Sequence, residues 1–255
     1  MRIAIITGAS SGLGREYLRQ LIQRENFDAV WAIARRQERL EELVRTYKDT
    51  VRPLALDLTQ SASLRQLEYL LHTEQPDVAV LINAAGFGKM GTTDLVPAAV
   101  QDAMIDLNCR AAVDLTASAL PYMKPGARIL EICSSAGFSP IPELNVYAAT
   151  KAFLLNYSKG LHYELKGRGI NVTAVCPYWV LDTEFIPIAL KDNPHPGRHF
   201  FLASTAESVV SWSLADSRHG RWVSTPGIMC TLHRFLAWLV PNRLMLQLAD
   251  WWHRI

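Results

Sequence analysis

The sequence of 255 residues predicts an α/β fold, a doubly wound, Rossmann-like sheet of seven parallel strands with helices on both faces. Seven short runs rich in Val, Ile, Leu and Ala alternate with stretches of helical periodicity, which indicates strands joined by crossover helices. The runs lack polar alternation, as is typical of strands buried on both faces of a parallel sheet. They cover residues 3–7, 29–34, 51–56, 78–82, 128–133, 171–175 and 221–224.

Length and composition favour a single domain over residues 1–255. With 49% hydrophobic residues, the chain has enough apolar material for a core on both faces of the sheet. Within this domain we expect a substrate loop at 184–204, which includes a Pro- and Gly-containing stretch at 191–199, and a helical extension at 228–255. Because the net charge is only +2 and the basic residues are scattered, we expect no nucleic-acid partner.

The first predicted strand leads into a glycine-rich turn at 7–14, which opens a helix expected at 12–23. Gly8 permits the tight turn, Gly12 lets backbone N–H groups approach a pyrophosphate, and Gly14 allows close helix packing. The turn predicts a dinucleotide phosphate site at the positive end of the helix, and an ordinary strand-to-helix turn is the alternative. The helix has Leu13, Tyr17, Leu18, Leu21 and Ile22 on one side and Arg15, Glu16, Arg19 and Gln20 on the other.

The end of the second strand predicts which dinucleotide binds. NAD is normally held there by an acidic residue that reaches the ribose 2′-hydroxyl, but this strand ends in Ala34-Arg35-Arg36. A guanidinium group suits the 2′-phosphate of NADP, so Arg35 is the candidate ligand and NADP(H) the expected cofactor. The alternative is that both arginines are a solvated helix start.

A Tyr and a Lys four residues apart are the candidate proton-transfer pair. Tyr147 and Lys151 share one face at the start of a helix, so the ammonium group can lie beside the phenol. A phenol with a pKa of about 10 transfers protons poorly at neutral pH, and a fixed cation would lower that pKa. Ser134, after the fifth strand, could hold a substrate carbonyl. The Tyr–Lys spacing also occurs by chance in many helices.

Other chemistry is not expected. Four cysteines stand far apart without zinc-site spacing, so we expect reduced core thiols: Cys109, Cys133, Cys176 and Cys230. His233 and His253 have no partner at metal-ligand spacing, so no metal is expected. The N-terminal apolar run is too short for a signal peptide and no stretch reaches the ~20 apolar residues of a spanning helix, which favours a cytoplasmic location.

Together these residues resemble the classical short-chain dehydrogenase/reductase family up to about Gly227. The likeness lies in a T-G-x-x-x-G-x-G turn, an Asp-Leu pair, an N-A-A-G segment, a helix-borne Asn, and a Ser followed by Y-x-x-x-K. The positions that match are Gly8, Ser10, Ser11, Gly12, Leu13, Gly14, Asp57, Leu58, Asn83, Ala84, Gly86, Asn108, Ser134, Tyr147 and Lys151.

The resemblance implies an oxidoreductase that transfers a hydride between NADP(H) and a carbonyl or secondary alcohol. Tyr147 would be the general acid in reduction, and Ser134 would polarise the carbonyl. Lys151 would bind the nicotinamide ribose and lower the pKa of the phenol, while Asn108 would hold a proton-relaying water. Asp57 and Leu58 would contact the adenine. A homodimer or homotetramer is also implied.

One segment departs from the family pattern. After the sixth strand the family usually has Pro-Gly, whereas Pro177 is followed here by Tyr178 and apparently one extra residue. By resemblance this segment would hold the nicotinamide carboxamide, with Val180 and Thr183 as candidate contacts. Tyr178 and Trp179 are either packing residues or a wall over the nicotinamide and substrate.

The segments expected around the substrate, 87–91, 138–146 and 178–201, are largely apolar and aromatic. They favour a lipophilic carbonyl or alcohol, although many of these residues could instead anchor loops. Beyond Gly227 we expect two short helices parted at Pro241, which could cover the active site, pack on another subunit or, less commonly, lie on a membrane surface. A catalytically silent dinucleotide sensor or scaffold is the alternative to an enzyme.

Overall fold

The computed structural model describes residues 1–191 and 202–253. Its centre is a seven-stranded parallel sheet in the order β3-β2-β1-β4-β5-β6-β7, which confirms the predicted fold class and strand number. The strands are β1 Arg2–Thr7, β2 Ala29–Ala34, β3 Val51–Ala55, β4 Asp77–Asn83, β5 Arg128–Ile132, β6 Asn171–Val175 and β7 Val223–Ser224.

Helices connect the strands and continue beyond the sheet. They are α1 Gly12–Arg24, α2 Gln37–Tyr47, α3 Ser61–Glu74, α4 Ala98–Ile105, α5 Ala111–Ala119, α6 Asn145–Leu165, α7 Phe185–Leu190, α8 Ala206–Arg218, α9 Ile228–Leu239 and α10 Asn242–His253. A π-helical turn at Asp106–Arg110 joins α4 to α5. The two C-terminal helices end and begin on either side of Pro241, as the sequence predicts. Part of the expected substrate loop, including 192–199, lies outside the described residues.

Alternate residues along each central strand enter two separate cores, because helices cover both faces of the sheet. Ile3 and Ile5 of β1 pack in one core, which α3, α5 and α6 cover. Ala4 and Ile6 pack in the other, which α1, α2 and α8 cover. All four cysteines are buried and none forms a disulfide. This two-sided burial explains why the strand runs have no polar alternation.

Local turns move some boundaries away from the sequence prediction. Cys133 is not in β5, since its N–H bonds to Glu131 O at 2.9 Å in a turn. Arg221 is not in β7, since its N–H bonds to Asp216 O at 3.0 Å in the turn after α8. The polar side of α1 is partly buried, because α8 packs on it and the Gln20 amide donates to Glu207 O at 3.0 Å.

Among residues 1–191 and 202–253, no helix is long and apolar enough to cross a membrane. The same residues contain no group of three His, Cys, Asp or Glu side chains arranged to hold a metal ion. The crossover arrangement places β1 beside β4, and chain connections leave these two strands in opposite directions along the sheet. In open parallel sheets, ligands bind at the carboxyl ends of strands at such a switch point.

Candidate active site

A cavity of about 870 Å³ lies at the carboxyl ends of the strands, where β1 and β4 are adjacent. It brings together residues from six strand ends that are far apart in sequence. Of the predicted site residues, those that line it are Gly8, Ser10, Ser11, Gly12, Leu13, Gly14, Arg35, Asp57, Leu58, Ala84, Gly86, Ser134, Tyr147, Lys151, Pro177, Val180 and Thr183. Asn83 and Asn108 are the two predicted residues that do not line it.

The glycine turn forms the floor of one end of the cavity. Gly8 has a φ of +65°, and a Cβ there would lie 2.9 Å from Ala84 O in the loop after β4. At Gly14 a Cβ would lie only 2.3 Å from Gly8 O. Side chains at these two positions would therefore collide with backbone, and the turn leaves the N-terminus of α1 open toward the cavity. This shape is suited to a pyrophosphate.

Two arginines stand above this turn. Arg36 donates to Ser11 Oγ at 2.8 Å and to Ser10 Oγ at 3.2 Å. It also pairs with Glu184 at 2.9 Å, and Arg39 pairs with the same carboxylate at 2.6 Å. These hydrogen bonds, that of Arg36 above all, lower the pKa of Glu184 to about 2. The guanidinium groups thus already hold one anionic group beside the phosphate end of the cavity.

Arg35 lines the cavity with an exposed side chain, whereas Arg36 contacts the turn directly. The sequence predicted Arg35 as the ligand of the 2′-phosphate and predicted no contact for Arg36. Glu184 was not predicted, since it is 148 residues away from Arg36. Its position directly after Thr183, in the segment that already departed from the family pattern, was the one available signal.

Tyr147 and Ser134 both line the cavity, and Ser134 is close enough to the phenol to influence its pKa. Ser134 lies just after the end of β5. Its Oγ accepts a hydrogen bond from Ala136 N at 3.1 Å, which fixes the position of the hydroxyl. Burial raises the pKa of Tyr147 well above its usual range, and the Ser134 hydrogen bond lowers it by a smaller amount. The phenol is therefore held in its neutral, proton-donating form.

Lys151 lies one helical turn after Tyr147, and its ammonium donates to Ile132 O at 2.7 Å. The ammonium nitrogen is 5.7 Å from the centre of the Tyr147 ring. Burial lowers the pKa of Lys151, since its charge has left water. The net pKa of Tyr147 lies above its usual range because burial outweighs the lowering contribution of Ser134, and the expected effect of Lys151 on the phenol stays a prediction. Lys151 is nevertheless fixed within reach of the same space.

Asn108 lies one layer behind the cavity wall, in the π-helical turn between α4 and α5. Its amide oxygen accepts from Phe87 N at 3.1 Å, and its amide nitrogen donates to Phe87 O at 2.9 Å. The same nitrogen donates to Thr150 Oγ1 at 3.1 Å on α6. Asn108 therefore joins the loop after β4 to the helix that carries Tyr147 and Lys151. Irregular turns inside helices are frequent at functional sites.

Asn83 points away from the cavity, so its side chain cannot contact a ligand there. Its amide donates to Glu131 Oε1 at 2.8 Å and to Thr116 Oγ1 at 2.9 Å beneath the sheet. Glu131 is fully buried, and burial raises its pKa to about 7. Among residues 1–191 and 202–253, its second carboxylate oxygen has no hydrogen-bond partner. The sequence signal for this buried group is an acidic residue inside the apolar run 128–133.

The segment after β6 forms the opposite wall. Pro177 O accepts from Ser135 N at 2.9 Å, and Val180 pairs with Ser204 in an isolated bridge. Thr183 bonds to Val180 O at 3.0 Å, and its side chain packs 3.4 Å from the position of a Cβ on Gly12. Thr183 therefore lies above the glycine turn.

Aromatic side chains line the other end of the cavity. Tyr178 and Trp179 both line it, which favours their role as a wall over packing alone. The ring centres of Trp179 and Phe185 are 6.3 Å apart, and those of Phe185 and Tyr147 are 5.2 Å apart. Further apolar lining comes from Phe87, Ile141, Leu144, Ile188, Met229, Leu232 and Leu236. A small aliphatic or aromatic carbonyl compound would be largely desolvated in such a site.

Comparisons with known proteins agree with this geometry. Residues 2–191 match the family model described as short chain dehydrogenase. The chain is 35% identical over 228 residues to NADP-dependent 3-hydroxy acid dehydrogenase YdfG of Shigella flexneri, an alignment that covers 88% of this chain and 89% of that protein.

Two solved structures are also similar. A short-chain dehydrogenase from Sphingobium yanoikuyae in complex with NADPH has a TM-score of 0.79 and 29% identity, covering 98% of this chain and 96% of that one. The bulky-bulky ketone specific alcohol dehydrogenase from Comamonas testosteroni has a TM-score of 0.74 and 29% identity, covering 89% and 87% of the respective chains.

Proposed function

The chain belongs to the short-chain dehydrogenase family, and from that membership we propose an NADP(H)-dependent oxidoreductase that interconverts a carbonyl compound and a secondary alcohol. One observation carries the proposal. Tyr147 and Ser134 share a single cavity with Lys151 and with the glycine turn. A candidate proton donor and a candidate dinucleotide cradle that line the same cavity support this proposal.

The residues present fit NADP(H). The turn that a Cβ would block at Gly8 and Gly14 admits a pyrophosphate, and Arg36 and Arg39 already bind an anionic oxygen pair. No acidic residue stands at the end of β2 to hold a ribose 2′-hydroxyl. We therefore assign Arg35, and with it Arg36, to the 2′-phosphate. Bound NADPH supplies the hydride.

The protein's own residues carry the proton and orient the substrate. In reduction, the carbonyl carbon gains the hydride while the C=O π bond breaks, and the oxygen takes the proton from the Tyr147 hydroxyl. Ser134 donates to the same oxygen and holds it beside the phenol. The resulting phenolate is stabilised by the Lys151 ammonium and recovers its proton from solvent. Alcohol oxidation reverses each of these steps.

A silent dinucleotide sensor would need the glycine turn but not the chemistry beyond it. Here Ser134, Tyr147 and Lys151 are all present and converge, and Asn108 holds the loop after β4 to the helix that carries two of them. The family relatives named above are enzymes by description. An active oxidoreductase is therefore favoured over a sensor or scaffold.

The aromatic end of the cavity favours a lipophilic substrate. Phe87, Tyr178, Trp179 and Phe185 line the cavity that also contains Tyr147, and His233 lines it from α9. The Comamonas testosteroni relative is described as specific for bulky ketones. We propose that this chain likewise takes a ketone or secondary alcohol with apolar substituents.

We further propose a single catalytic domain over 1–255, a cytoplasmic location, and a homodimer or homotetramer. The described residues contain no membrane-spanning helix, and the matched relative covers nearly the whole chain. Exposed Ile105 and Phe153, on α4 and α6, are apolar side chains that a second subunit could cover. Light scattering would measure the subunit number directly.

The experiment is a panel of ketones and alcohols followed by NADPH absorbance. We expect turnover with aryl and long-chain alkyl ketones, and weak turnover with small hydrophilic carbonyls. Turnover confined to the hydrophilic compounds would refute the lipophilic substrate class. NADH used at least as well as NADPH would refute the assignment of Arg35 and Arg36.

A further inference from the structure

The outer face of α9 exposes an unusual set of large apolar side chains. Ile228, Phe235 and Trp238 are 83%, 55% and 79% exposed, and Leu239 is 60% exposed. Leu244, in the first turn of α10, is 50% exposed. Spacings of three and four residues put these side chains of α9 on one face of the helix. We call this face, from Ile228 to Leu244, the C-terminal apolar face.

The inner face of α9 is part of the active-site wall. Met229 and His233 line the cavity, and His233 Nε2 lies 2.8 Å from Ser139 Oγ. Phe138 packs edge-on against the same histidine ring. The helix is therefore held at the cavity by specific contacts. Its outer face is therefore exposed while its inner face is packed against the fold.

Two leucines belong to both faces. Leu232 and Leu236 line the cavity, yet they are 46% and 37% exposed. They form a continuous apolar path from the C-terminal apolar face into the cavity. A lipophilic molecule that lay against the outer face could enter the site along this path without crossing water.

The charged side chains in the sequence around α9 and the start of α10 are all basic. No Asp or Glu occurs from 217 to 249, whereas Arg234 and Arg243 flank the apolar stripe. Cations beside exposed aromatic and aliphatic side chains are typical of helices that lie in the headgroup region of anionic bilayers. A tryptophan such as Trp238 is the residue type enriched at that depth.

We propose that the C-terminal apolar face docks on the surface of an anionic lipid bilayer, with the mouth of the cavity open to the membrane interface. Docking of this kind buries no catalytic residue. That the membrane delivers a lipophilic substrate rests on the proposed function. A second copy of the chain is the less favoured occupant, because it would cover Leu232 and Leu236 and close the mouth.

The test is flotation of the purified full-length protein with vesicles. Vesicles of equal parts phosphatidylglycerol and phosphatidylcholine are compared with vesicles of phosphatidylcholine alone. We expect flotation with the anionic vesicles and little with the neutral ones. The double variant Phe235→Ser, Trp238→Ser should lose more than about tenfold in apparent affinity, since two large side chains no longer enter the interface.

A matched control is Trp212→Ser on α8, because Trp212 is 51% exposed but lies outside the C-terminal apolar face. It should float like the wild type. The proposal is overturned if the wild type does not float, if the double variant floats as well as the wild type, or if both vesicle types bind equally. It is also overturned if the wild type is an oligomer that does not float and the double variant is a monomer. The C-terminal apolar face would then be an interface between two copies of the chain.

Turnover separates this inference from the proposed function. With a water-soluble ketone and no vesicles, the double variant should retain the turnover of the wild type. Flotation without any carbonyl turnover would refute the enzyme assignment alone, and turnover without flotation would refute membrane docking alone.

Discussion

The Tyr147 hydroxyl must give up a proton, and its surroundings favour keeping it. Burial raises its pKa, so the neutral acid required for reduction is present at physiological pH. The Ser134 hydrogen bond acts in the opposite direction and favours the phenolate. The buried ammonium of Lys151 is the cation available to compensate the negative charge that develops during transfer. Catalysis therefore depends on phenolate stabilisation that increases along the reaction.

Cofactor preference is set by single side chains at the end of β2. We expect Arg35→Gln and Arg36→Gln each to weaken NADPH binding by roughly tenfold or more, because a charge-assisted contact to phosphate is lost. Binding of NADH should change little. Fluorescence titration with both cofactors measures this, with Arg45→Gln on the exposed side of α2 as control. Equal losses for NADPH and NADH would contradict the assignment.

Glu131 gives the molecule a predictable dependence on pH. Its folded-state pKa of about 7 lies above the usual 4.5, so the folded protein binds the proton more tightly than the unfolded chain. The contribution of Glu131 to the free energy of unfolding should therefore be largest below pH 4.5. It should fall as the pH rises through 7. The full loss is roughly 3 kcal/mol.

Urea unfolding at pH 5 and pH 8 tests this effect. The wild type should lose more stability over that interval than Glu131→Gln, which cannot ionise. Glu38→Gln, at an exposed position on α2, should behave like the wild type. The same pH dependence in wild type and Glu131→Gln would contradict the raised pKa, because a carboxyl with equal pKa values in the folded and unfolded chain adds no pH dependence to stability.

At the scale of elements, the turn between β1 and α1 depends on glycine for space. Gly14→Ala would force a Cβ against Gly8 O, so we expect a loss of about 2 kcal/mol or more in unfolding free energy and weaker NADPH binding. Gly160→Ala on α6 has open space and should stabilise the helix by about 0.5–1 kcal/mol. Thermal unfolding and NADPH titration of both variants measure the contrast. Similar effects of the two substitutions would contradict it.

The sequence predicts elements best where one physical cause dominates. The runs of β1, β2, β4, β5 and β6 are almost right because both faces of each of these strands are buried. Helical periodicity alone does not show that α8 packs on the polar side of α1, where Gln20 is buried. The role of Arg36 was missed for a similar reason. Its partner Glu184 is distant in sequence, and only the fold brings the two together.

At the scale of the whole molecule, function follows from the order of the strands. The sheet brings six strand ends to one edge, and the cavity forms where β1 and β4 are adjacent. Sequence motifs predicted most of the residues that line the cavity, because each motif is a short, continuous stretch of the chain. They could not predict that Asn83 turns beneath the sheet toward Glu131, or that α9 would wall the cavity while exposing its other face.

The most direct measurement of the central claim compares NADPH oxidation by wild type and Tyr147→Phe on one good ketone, beside NADPH affinity measured by fluorescence. We predict that Tyr147→Phe loses roughly 10²–10⁴-fold in kcat because the general acid is removed, with NADPH affinity unchanged. Tyr163→Phe, on the exposed side of the same helix, should keep full activity. Wild-type turnover by Tyr147→Phe, with intact NADPH binding, would contradict the account.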